Sequence, residues 1–282
     1  MPSRIFAPGL LDGQVILVTG GGTGLGRATA VELTALGAHV IVAGRRAEPL
    51  EETVSLCEGG RCSSAVCDIR EEDQVHALVD DVLARHGRID TLVNNAGGQY
   101  MTPAEDISLK GFETVVRLNL IGTWLMTHAV ATKAFIPQER GGKVISVTLS
   151  PHHGLPGMAH SSAARAAVEN LTRVLSIEWA RHDIRLTALA AGHFETEAIQ
   201  KYPKPVAEGV ARTVPLQRLG RPEEHAWLVA YLASPAGDYY SGAVITLDGA
   251  RDNWFGPWPP PGLADAETGK PLAEERRPKP DG

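Results

Sequence analysis

The sequence predicts an α/β fold in which helices cover both faces of a mainly parallel sheet. Short apolar runs alternate with longer segments of helical period, which is the pattern of repeated βαβ units. The apolar runs predict seven strands, at 14–19, 40–44, 65–69, 91–95, 143–148, 184–190 and 244–248. The periodic segments predict helices at 24–36, 71–86, 111–136, 157–181 and 222–233, several of them ending at Gly or just before Pro.

One domain accounts for this whole series. The chain has 282 residues, 43% of them hydrophobic and 21% charged, which are ordinary values for a globular protein. Neither a linker nor a repeat divides it, and a doubly wound domain of about 250 residues is common. We therefore expect one domain over 1–255 and a Pro-rich tail over 256–282. The tail is expected to be extended, or to dock Trp254 and Trp258 on a neighbouring subunit or over the substrate cleft.

Charge and composition argue against several classes of partner. The chain carries 27 basic and 33 acidic residues, a net charge of -6, so it offers no broad basic surface for nucleic acid. No apolar run approaches the ~20 residues of a membrane helix, and residues 1–8 lack the apolar stretch of a signal peptide. Cys57, Cys62 and Cys67 match neither a paired disulfide framework nor a metal-binding pair. We expect a cytoplasmic protein without a metal site.

A glycine-rich turn follows the first predicted strand and leads into a helix. In the stretch Thr19-Gly20-Gly21-Gly22-Thr23-Gly24-Leu25-Gly26, glycines allow a tight turn, a close backbone approach to a pyrophosphate and close packing of the helix. The helix N-terminus adds amide donors and a positive dipole end. The strand–turn–helix context therefore predicts a Rossmann-type dinucleotide site. Its candidate contacts are Gly20, Thr23, Gly24, Leu25 and Gly26.

The end of the second strand favours NADP(H) as the cofactor. Gly44 stands where an acid would hold the ribose 2′-hydroxyl of NAD, so nothing there repels a phosphate. Arg45 follows and offers planar donors that match the 2′-phosphate of NADP. The alternative is that Arg45 and Arg46 are solvated residues at the start of a helix.

Further motifs resemble the short-chain dehydrogenase/reductase family over about residues 12–250. Besides the glycine turn, they are Asp68-Ile69 after the third strand, Asn94-Asn95-Ala96-Gly97 after the fourth, and Asn119 in the next helix. The resemblance implies that Asp68 and Ile69 face the adenine, that Asn95, Ala96 and Gly97 run along the ribose, and that Asn119 is the active-site asparagine. It also implies that Gly192 and Thr196 lie at the nicotinamide, with Thr196 binding the carboxamide.

Three stretches look like the branch of peroxisomal trans-2-enoyl-CoA reductases, and the site also has a feature of 2,4-dienoyl-CoA reductases. The stretches lie within 7–15, 97–105 and 160–172. This resemblance implies NADPH-dependent reduction of the double bond of an acyl-CoA thioester, by a homotetramer built through the helices at 111–136 and 157–181. The C-terminal residues are not a peroxisomal signal, which favours a bacterial or cytosolic relative.

The chain departs from the family at its Tyr-x-x-x-Lys pair, where Ser161 and Arg165 stand instead. A serine hydroxyl is a poor acid near neutral pH, and losing a positioned acid costs ~10² to 10⁴ in rate, so ordinary ketone reduction is disfavoured. Conjugate reduction of an enoyl thioester mainly needs donors aimed at the enolate oxygen. Ser161, Asn119 and Tyr100 are the candidate donors, and Arg165 would anchor the ribose and the developing charge. A serine in place of this tyrosine is the feature that 2,4-dienoyl-CoA reductases share, although in them a lysine follows where this chain has Arg165.

Two other interpretations stay open. His152, His153 and His160 lie in or beside the loop expected over the nicotinamide, and a replacement acid such as His153 would permit another activated alkene, ketone or alcohol as substrate. Alternatively these histidines are solvated, and the chain is an NADP-binding scaffold or sensor that has lost its chemistry.

Overall fold

Seven parallel strands form one sheet in the part of the chain that the structure describes. The computed structural model describes residues 3–197, 199 and 209–254. The strands are β1 (Val15–Thr19), β2 (His39–Gly44), β3 (Cys62–Val66), β4 (Thr91–Asn94), β5 (Gly142–Leu149), β6 (Ile184–Ala191) and β7 (Ala243–Leu247). Their order in the sheet is β3-β2-β1-β4-β5-β6-β7, and every neighbouring pair is parallel. The predicted doubly wound fold is therefore confirmed.

Helices pack on both faces of this sheet. They are α1 (Gly24–Ala35), α2 (Ala47–Leu56), α3 (Glu72–His86), α4 (Leu109–Val116), α5 (Gly122–Val130), α6 (Ala159–Glu178) and α7 (Pro222–Ala233). One apolar cluster includes Met126 and Phe135 on one face, and a second includes Leu33 and Val229 on the other. Because both faces are covered, the central strands read as continuous apolar runs, and every residue of β1 is buried.

The structure departs from the predicted elements in three main places. Strand β3 ends at Val66, three residues before the predicted end, because the apolar residues after it belong to a turn rather than to the edge strand. Helix α2 was not among the predicted helices, although Pro49 in its first turn is compatible with helix. The predicted helix at 111–136 is interrupted by a π-helical turn, Arg117–Ile121, and ends in another, Ala131–Phe135.

The order of the strands places a crevice at the carboxyl ends of β1 and β4. These two strands are neighbours, and the chain runs outward from them in opposite directions across the sheet. Ligands of open α/β sheets bind at such a switch point, outside the carboxyl ends of the strands. Within the described residues, no helix has both the length and the apolarity that a membrane span requires.

The Pro-rich tail lies outside the described residues, together with Trp258. Trp254 is the last residue described, and its amide donates to the carbonyl oxygen of Arg251 at 3.3 Å. The division into a domain at 1–255 and a tail at 256–282 stays a prediction.

Candidate active site

A cleft of about 920 Å³ opens at the carboxyl ends of the strands. It collects most of the predicted site residues from segments that are far apart in the sequence. Those that line it are Gly20, Thr23, Gly24, Leu25, Arg45, Asp68, Ile69, Asn95, Ala96, Gly97, Tyr100, Arg165, Gly192 and Thr196. Gly26, Asn119 and Ser161 are not among the lining residues; they contact residues that are.

The glycine turn at one end of the cleft leaves no room for side chains. Gly20 has a φ of 66°, and a Cβ on it would lie 2.8 Å from the Cα of Ala96. A Cβ on Gly26 would lie 2.3 Å from the carbonyl oxygen of Gly20, so Gly26 shapes the turn from behind. Thr23 precedes α1 without a side-chain hydrogen bond to it, which leaves the first amides of the helix for an anion. The turn therefore fits the pyrophosphate of a dinucleotide.

A hydrogen-bonded clamp joins the ends of β1 and β4. The hydroxyl of Thr19 accepts from the amides of Asn95 and Ala96, at 3.1 and 3.0 Å. The Nδ2 of Asn95 donates to the carbonyl oxygens of Thr19 and Gly20, at 3.0 and 3.2 Å. The side chain of Asn95 is thus used within the protein, and the segment that follows it is held beside the glycine turn, where the ribose is expected.

The rim of the cleft at the end of β2 carries more positive than negative charge. Arg45 is exposed there and Asp68 lies nearby. The Nε of Arg70 donates to both carboxylate oxygens of Asp68, at 2.9 and 3.1 Å, and this hydrogen bonding holds the pKa of Asp68 below its usual value. Since Arg70, which sequence reasoning missed, balances Asp68, the charge of Arg45 is left to face a ligand anion.

Asn119 holds the backbone at the other end of the cleft. It lies within a π-helical turn, a feature often found at functional sites. Its Nδ2 donates to the carbonyl oxygens of Gly98 and Val115, at 2.8 and 3.0 Å, and its Oδ1 accepts from the amide of Gly98 at 3.1 Å. Both amide hydrogens are therefore engaged, and the geometry gives Asn119 a positioning role.

Arg165 enters the cleft from α6 and is fixed at two points. Its Nη1 donates to the carbonyl oxygen of Val147 at 2.8 Å, and its Nη2 lies 3.4 Å from the Oε1 of Gln99. The guanidinium also crosses Gly97, where a Cβ would lie 2.7 Å from Nη2 and 2.7 Å from the Oδ1 of Asn119. A glycine at position 97 is what lets the cation lie against the backbone.

Ser161 lies one helical turn before Arg165 on the same face of α6. It is fully buried, and its hydroxyl lies 3.4 Å from the Oε1 of Gln99. The predicted pair therefore meets at Gln99, which lines the cleft itself. Gln99 was part of a motif in the sequence, but nothing in the sequence alone identified its amide as a site group.

Tyr100 lines the cleft, and the buried ring of His160 packs behind it. Their rings meet edge to face, with centroids 4.5 Å apart. The hydroxyl of Tyr100 lies against Gly111, 2.2 Å from the point that a Cβ there would occupy, so it is directed toward the start of α4. Burial lowers the pKa of His160, whose Nδ1 accepts a 2.8 Å hydrogen bond from the amide of Ser161.

A second cluster of polar side chains lies at the end of β5, and of its members only His152 was a candidate from the sequence. The hydroxyl of Thr148 donates to the Oε1 of buried Glu169 at 2.8 Å, and the same oxygen lies 3.2 Å from the Nε2 of His152. The Nδ1 of His152 lies 2.6 Å from the Oδ2 of Asp252. Burial acts to lower the pKa of His152, but Asp252 and Glu169 together raise it above its ordinary value.

His193 is a further lining residue that the sequence did not single out. Its Nδ1 is buried and makes no hydrogen bond with any described residue. Burial, and then the charge of Arg251, lower the pKa of His193 to about 4, so the ring is neutral near neutral pH. The adjacent Gly192 packs against Asp248, whose Cβ lies 2.5 Å from where a Cβ on the glycine would be.

Known proteins resemble the chain over most of its length. A family model described as "Enoyl-(Acyl carrier protein) reductase" matches residues 20–250. A probable 2,4-dienoyl-CoA reductase of Bacillus subtilis is 35% identical over 256 residues, which cover 88% of this chain and 100% of that protein. The peroxisomal 2,4-dienoyl-CoA reductase of Pongo abelii is 35% identical over 269 residues, 93% of this chain and 91% of that protein.

Solved structures agree with these relatives. The citronellol catabolism dehydrogenase (AtuB) of Pseudomonas aeruginosa is 44% identical, with a TM-score of 0.79, over 88% of this chain and 98% of that one. A short-chain dehydrogenase of Bacillus anthracis is 33% identical, with a TM-score of 0.80, over 88% of this chain and 100% of that one. With its doubly wound sheet and its glycine turn, the chain belongs to the short-chain dehydrogenase/reductase family of nicotinamide-dependent oxidoreductases.

Proposed function

We propose that this protein is an NADPH-dependent reductase of the carbon–carbon double bond of an enoyl or dienoyl thioester. The observation that carries the proposal is the pair Ser161 and Arg165, joined through Gln99, at the positions where the family has tyrosine and lysine. The nucleotide end of the same cleft keeps its glycine turn and its clamp. The site thus combines a complete cofactor-binding end with the fixed positive charge of Arg165, and it lacks the proton-donating tyrosine of the family.

The groups at this centre suit an enolate better than an alkoxide. Bound NADPH would supply a hydride to the β-carbon of the thioester, and negative charge would then develop on the thioester oxygen. The guanidinium of Arg165 keeps its charge at all relevant pH values and is held by Val147 and Gln99, so it stabilises that oxygen without first having to move. Gly97 and Asn119 maintain the backbone on which the cation rests.

The choice of NADPH over NADH rests on the rim at the end of β2. Gly44 and Arg45 line the cleft there, and the nearby Asp68 is paired with Arg70. A 2′-phosphate would meet a guanidinium in that place, whereas NAD recognition needs a carboxylate for the 2′-hydroxyl.

The relatives support a thioester substrate, and one of them favours a second candidate. Relatives named as 2,4-dienoyl-CoA reductases match the chain at 32–35% identity. The structure at 44% identity is named as a citronellol catabolism dehydrogenase, which favours oxidation or reduction at an alcohol or carbonyl as the second candidate. That reaction would need an acid other than the missing tyrosine.

Oxidation of NADPH by the purified protein tests the proposal directly. Trans-2-enoyl-CoA, 2,4-dienoyl-CoA, simple ketones and terpenoid alcohols with NADP⁺ are compared in parallel, with NADH and NAD⁺ as cofactor controls. We expect NADPH-dependent turnover of enoyl or dienoyl thioesters. Turnover confined to the ketones or alcohols would favour the second candidate, and tight NADPH binding without any turnover would favour a scaffold or sensor.

We further propose that the protein acts in the cytoplasm as a homotetramer assembled through α4, α5 and α6. These helices carry apolar side chains that the single chain leaves exposed. They are Leu109 and Phe112 on α4 and Val174 and Ile177 on α6, with Ile121 in the π-helical turn before α5. Sedimentation of the purified protein at several concentrations tests the assembly.

A further inference from the structure

Four polar side chains form a continuous line from the cleft to the protein surface. Thr148 lines the cleft, and its hydroxyl donates to the Oε1 of Glu169 at 2.8 Å. The same oxygen lies 3.2 Å from the Nε2 of His152, whose Nδ1 lies 2.6 Å from the Oδ2 of Asp252. The side chain of His152 is 27% exposed, whereas that of Glu169 is 8% exposed. Solvent therefore reaches His152 more readily than it reaches Glu169.

We propose that Glu169 and His152 carry a proton from solvent to the cleft, and that the hydroxyl of Thr148 delivers it to the substrate. This inference rests on the proposed function, because reduction of an enoyl thioester consumes one proton for each hydride. The reduction of a carbonyl consumes one as well, so the same path would serve the second candidate.

The cleft needs such a path because the two hydroxyl groups predicted to act as donors, those of Ser161 and Tyr100, are badly placed for proton delivery. Ser161 is fully buried and does not belong to the described lining, while the hydroxyl of Tyr100 is directed toward α4. A hydroxyl with an ordinary pKa delivers protons efficiently only when a second group restores its proton at the same time. Thr148 lines the cleft and has such a connection, through Glu169.

The proton transfer balances with groups present in the chain. The α-carbon of the enolate takes the hydroxyl proton of Thr148, so that a C–H bond forms from the enolate electron pair while the O–H bond breaks. In the resting state the hydroxyl of Thr148 donates to the carboxylate of Glu169. When the Nε2–H of His152 gives its proton to that carboxylate, the resulting carboxyl group donates it to the oxygen of Thr148, and the original hydroxyl proton is released to the cleft. Water then returns a proton to His152, and the protein ends as it began.

The surroundings of His152 keep it protonated enough to act as the reservoir. Glu169 faces it from α6 and Asp252 from the segment after β7, and their charges outweigh the effect of burial on its pKa. The further charged or titratable groups that act on this network are Asp248 and His153, both through Asp252. Asp252 is itself held, since its amide donates to the Oδ2 of Asp248 at 2.7 Å.

A purely structural role would make different predictions. The same contacts attach the loop after β5 to α6, and if they served only that purpose, their loss would loosen the cleft and raise the KM or the cofactor Kd. Loss of a proton path would instead lower kcat, change its pH profile and alter the solvent isotope effect. Isosteric substitutions separate the two, because they keep the shape of the network and remove its ability to pass a proton.

The experiment compares His152→Gln, Glu169→Gln and Thr148→Val with Thr148→Ser and with the control Glu178→Gln. Glu178 is exposed on the same helix as Glu169. We expect the first three variants to lose about 10- to 100-fold in kcat while the NADPH Kd and the substrate KM stay within about twofold. Thr148→Ser, which keeps the hydroxyl, is expected to retain most of the rate.

The pH profile and the isotope effect give the readout that a structural role would not move. In the unmodified protein kcat should fall as pH rises through the pKa of His152. That limb should be lost in Glu169→Gln, because the residual rate no longer depends on a proton passed on from His152. The solvent deuterium effect on kcat should be larger in the three impaired variants than in the unmodified protein.

The outcomes distinguish this inference from the proposed function. Thioester turnover with an unchanged kcat and pH profile in Glu169→Gln would overturn the proton path and leave the function standing. Turnover of ketones or alcohols alone would overturn the function, and the same variants would then test the path on those substrates. A protein silent on every substrate while it still binds NADPH would overturn both.

Discussion

The Nη1 of Arg165 donates a 2.8 Å hydrogen bond to the carbonyl oxygen of Val147, near the end of β5. This contact holds a permanent positive charge at the carboxyl edge of the sheet, next to Gly97 and Gln99. A cation held in advance is an efficient stabiliser of a developing anion, because it need not reorganise during the reaction.

Replacing Arg165 should therefore impair both binding and turnover. We expect Arg165→Ala to lose about 100-fold in kcat, as is common when a donor to a developing anion is removed. The NADPH Kd should rise as well, because the charge next to the ribose is lost. Fluorescence titration of NADPH together with steady-state kinetics measures both effects. Arg173→Ala, at an exposed position of the same helix, is the control, and full affinity with full turnover in Arg165→Ala would contradict the assignment.

Gly97 is a position at which the centre of the cleft tolerates little change. A Cβ there would lie 2.7 Å from both Arg165 and Asn119, so Gly97→Ala should displace the cation and lower kcat/KM by about 100-fold. At the neighbouring Gly98 a Cβ would meet only the side chain of Leu118, at 3.3 Å, and Gly98→Ala should cost less. Kinetics of the two variants, with circular dichroism to confirm folding, would test the difference. Equal losses in both would mean that contact with Arg165 is not the cause.

The sheet and the nucleotide end of the site were predictable from the sequence because both depend on local patterns. Central strands buried on both faces appear as apolar runs, and the glycine turn directly follows the first of them. The network around His152 has no such signature. Its contact with Asp252 spans 100 positions, and the contact of Thr148 with Glu169 spans 21, so both depend on how β5, α6 and the segment after β7 lie together. Gln99 was missed for the same reason, since its role comes from meeting Ser161 and Arg165 in space.

The preference for NADPH over NADH should depend on the charge at the end of β2. Arg45→Ala should raise the NADPH Kd by about 10- to 100-fold, the usual worth of a hydrogen bond to a charged group, with little effect on NADH. Gly44→Asp should favour NADH, because the nearest atom to a Cβ at Gly44 is a methyl carbon of Leu50 at 3.5 Å, an ordinary contact, and the carboxylate would face the ribose. Kd values for both cofactors in both variants provide the test. A tighter complex with NADH than with NADPH in the unmodified protein would contradict the prediction.

Lys143 should be important for stability rather than for activity. Its Nζ donates to the carbonyl oxygens of Leu232, Ala233 and Ser234 at the end of α7, at 3.1, 3.1 and 2.6 Å. The last carbonyls of a helix lack intrahelical amide partners, and the Nζ of Lys143 also pairs with Asp238 at 2.7 Å. Lys143→Met removes all of these contacts and should cost about 2–4 kcal/mol of unfolding free energy. Urea denaturation measures the loss.

The matched control for that substitution is Lys133→Met. The Nζ of Lys133 makes an ion pair with Asp80, whose side chain is 62% exposed, and such surface pairs contribute less than about 1 kcal/mol. If the two variants were equally destabilised, the bonds to the end of α7 would not be what makes Lys143 important.

His225 should make the stability of the protein depend on pH. Its ring is fully buried between α7 and α1, with its Nδ1 3.3 Å from the hydroxyl of Thr29. Burial lowers the pKa of His225 to about 4, from 6.5 in an unfolded chain. Between these values the unfolded state binds a proton that the folded state refuses, so stability is full above pH 6.5 and falls as pH drops toward 4.

The size of that effect follows from the shift in pKa. A difference of about 2.5 units corresponds to about 3 kcal/mol, which should be lost between those two pH values. His225→Gln removes the titrating group and should flatten this part of the curve by a similar amount, while His128→Gln, at an exposed position, controls for the substitution itself. Urea denaturation from pH 4 to 8 gives the curves. An equally steep decline in His225→Gln would assign the acid sensitivity to other groups, of which His193, with its pKa near 4, would be the first to test.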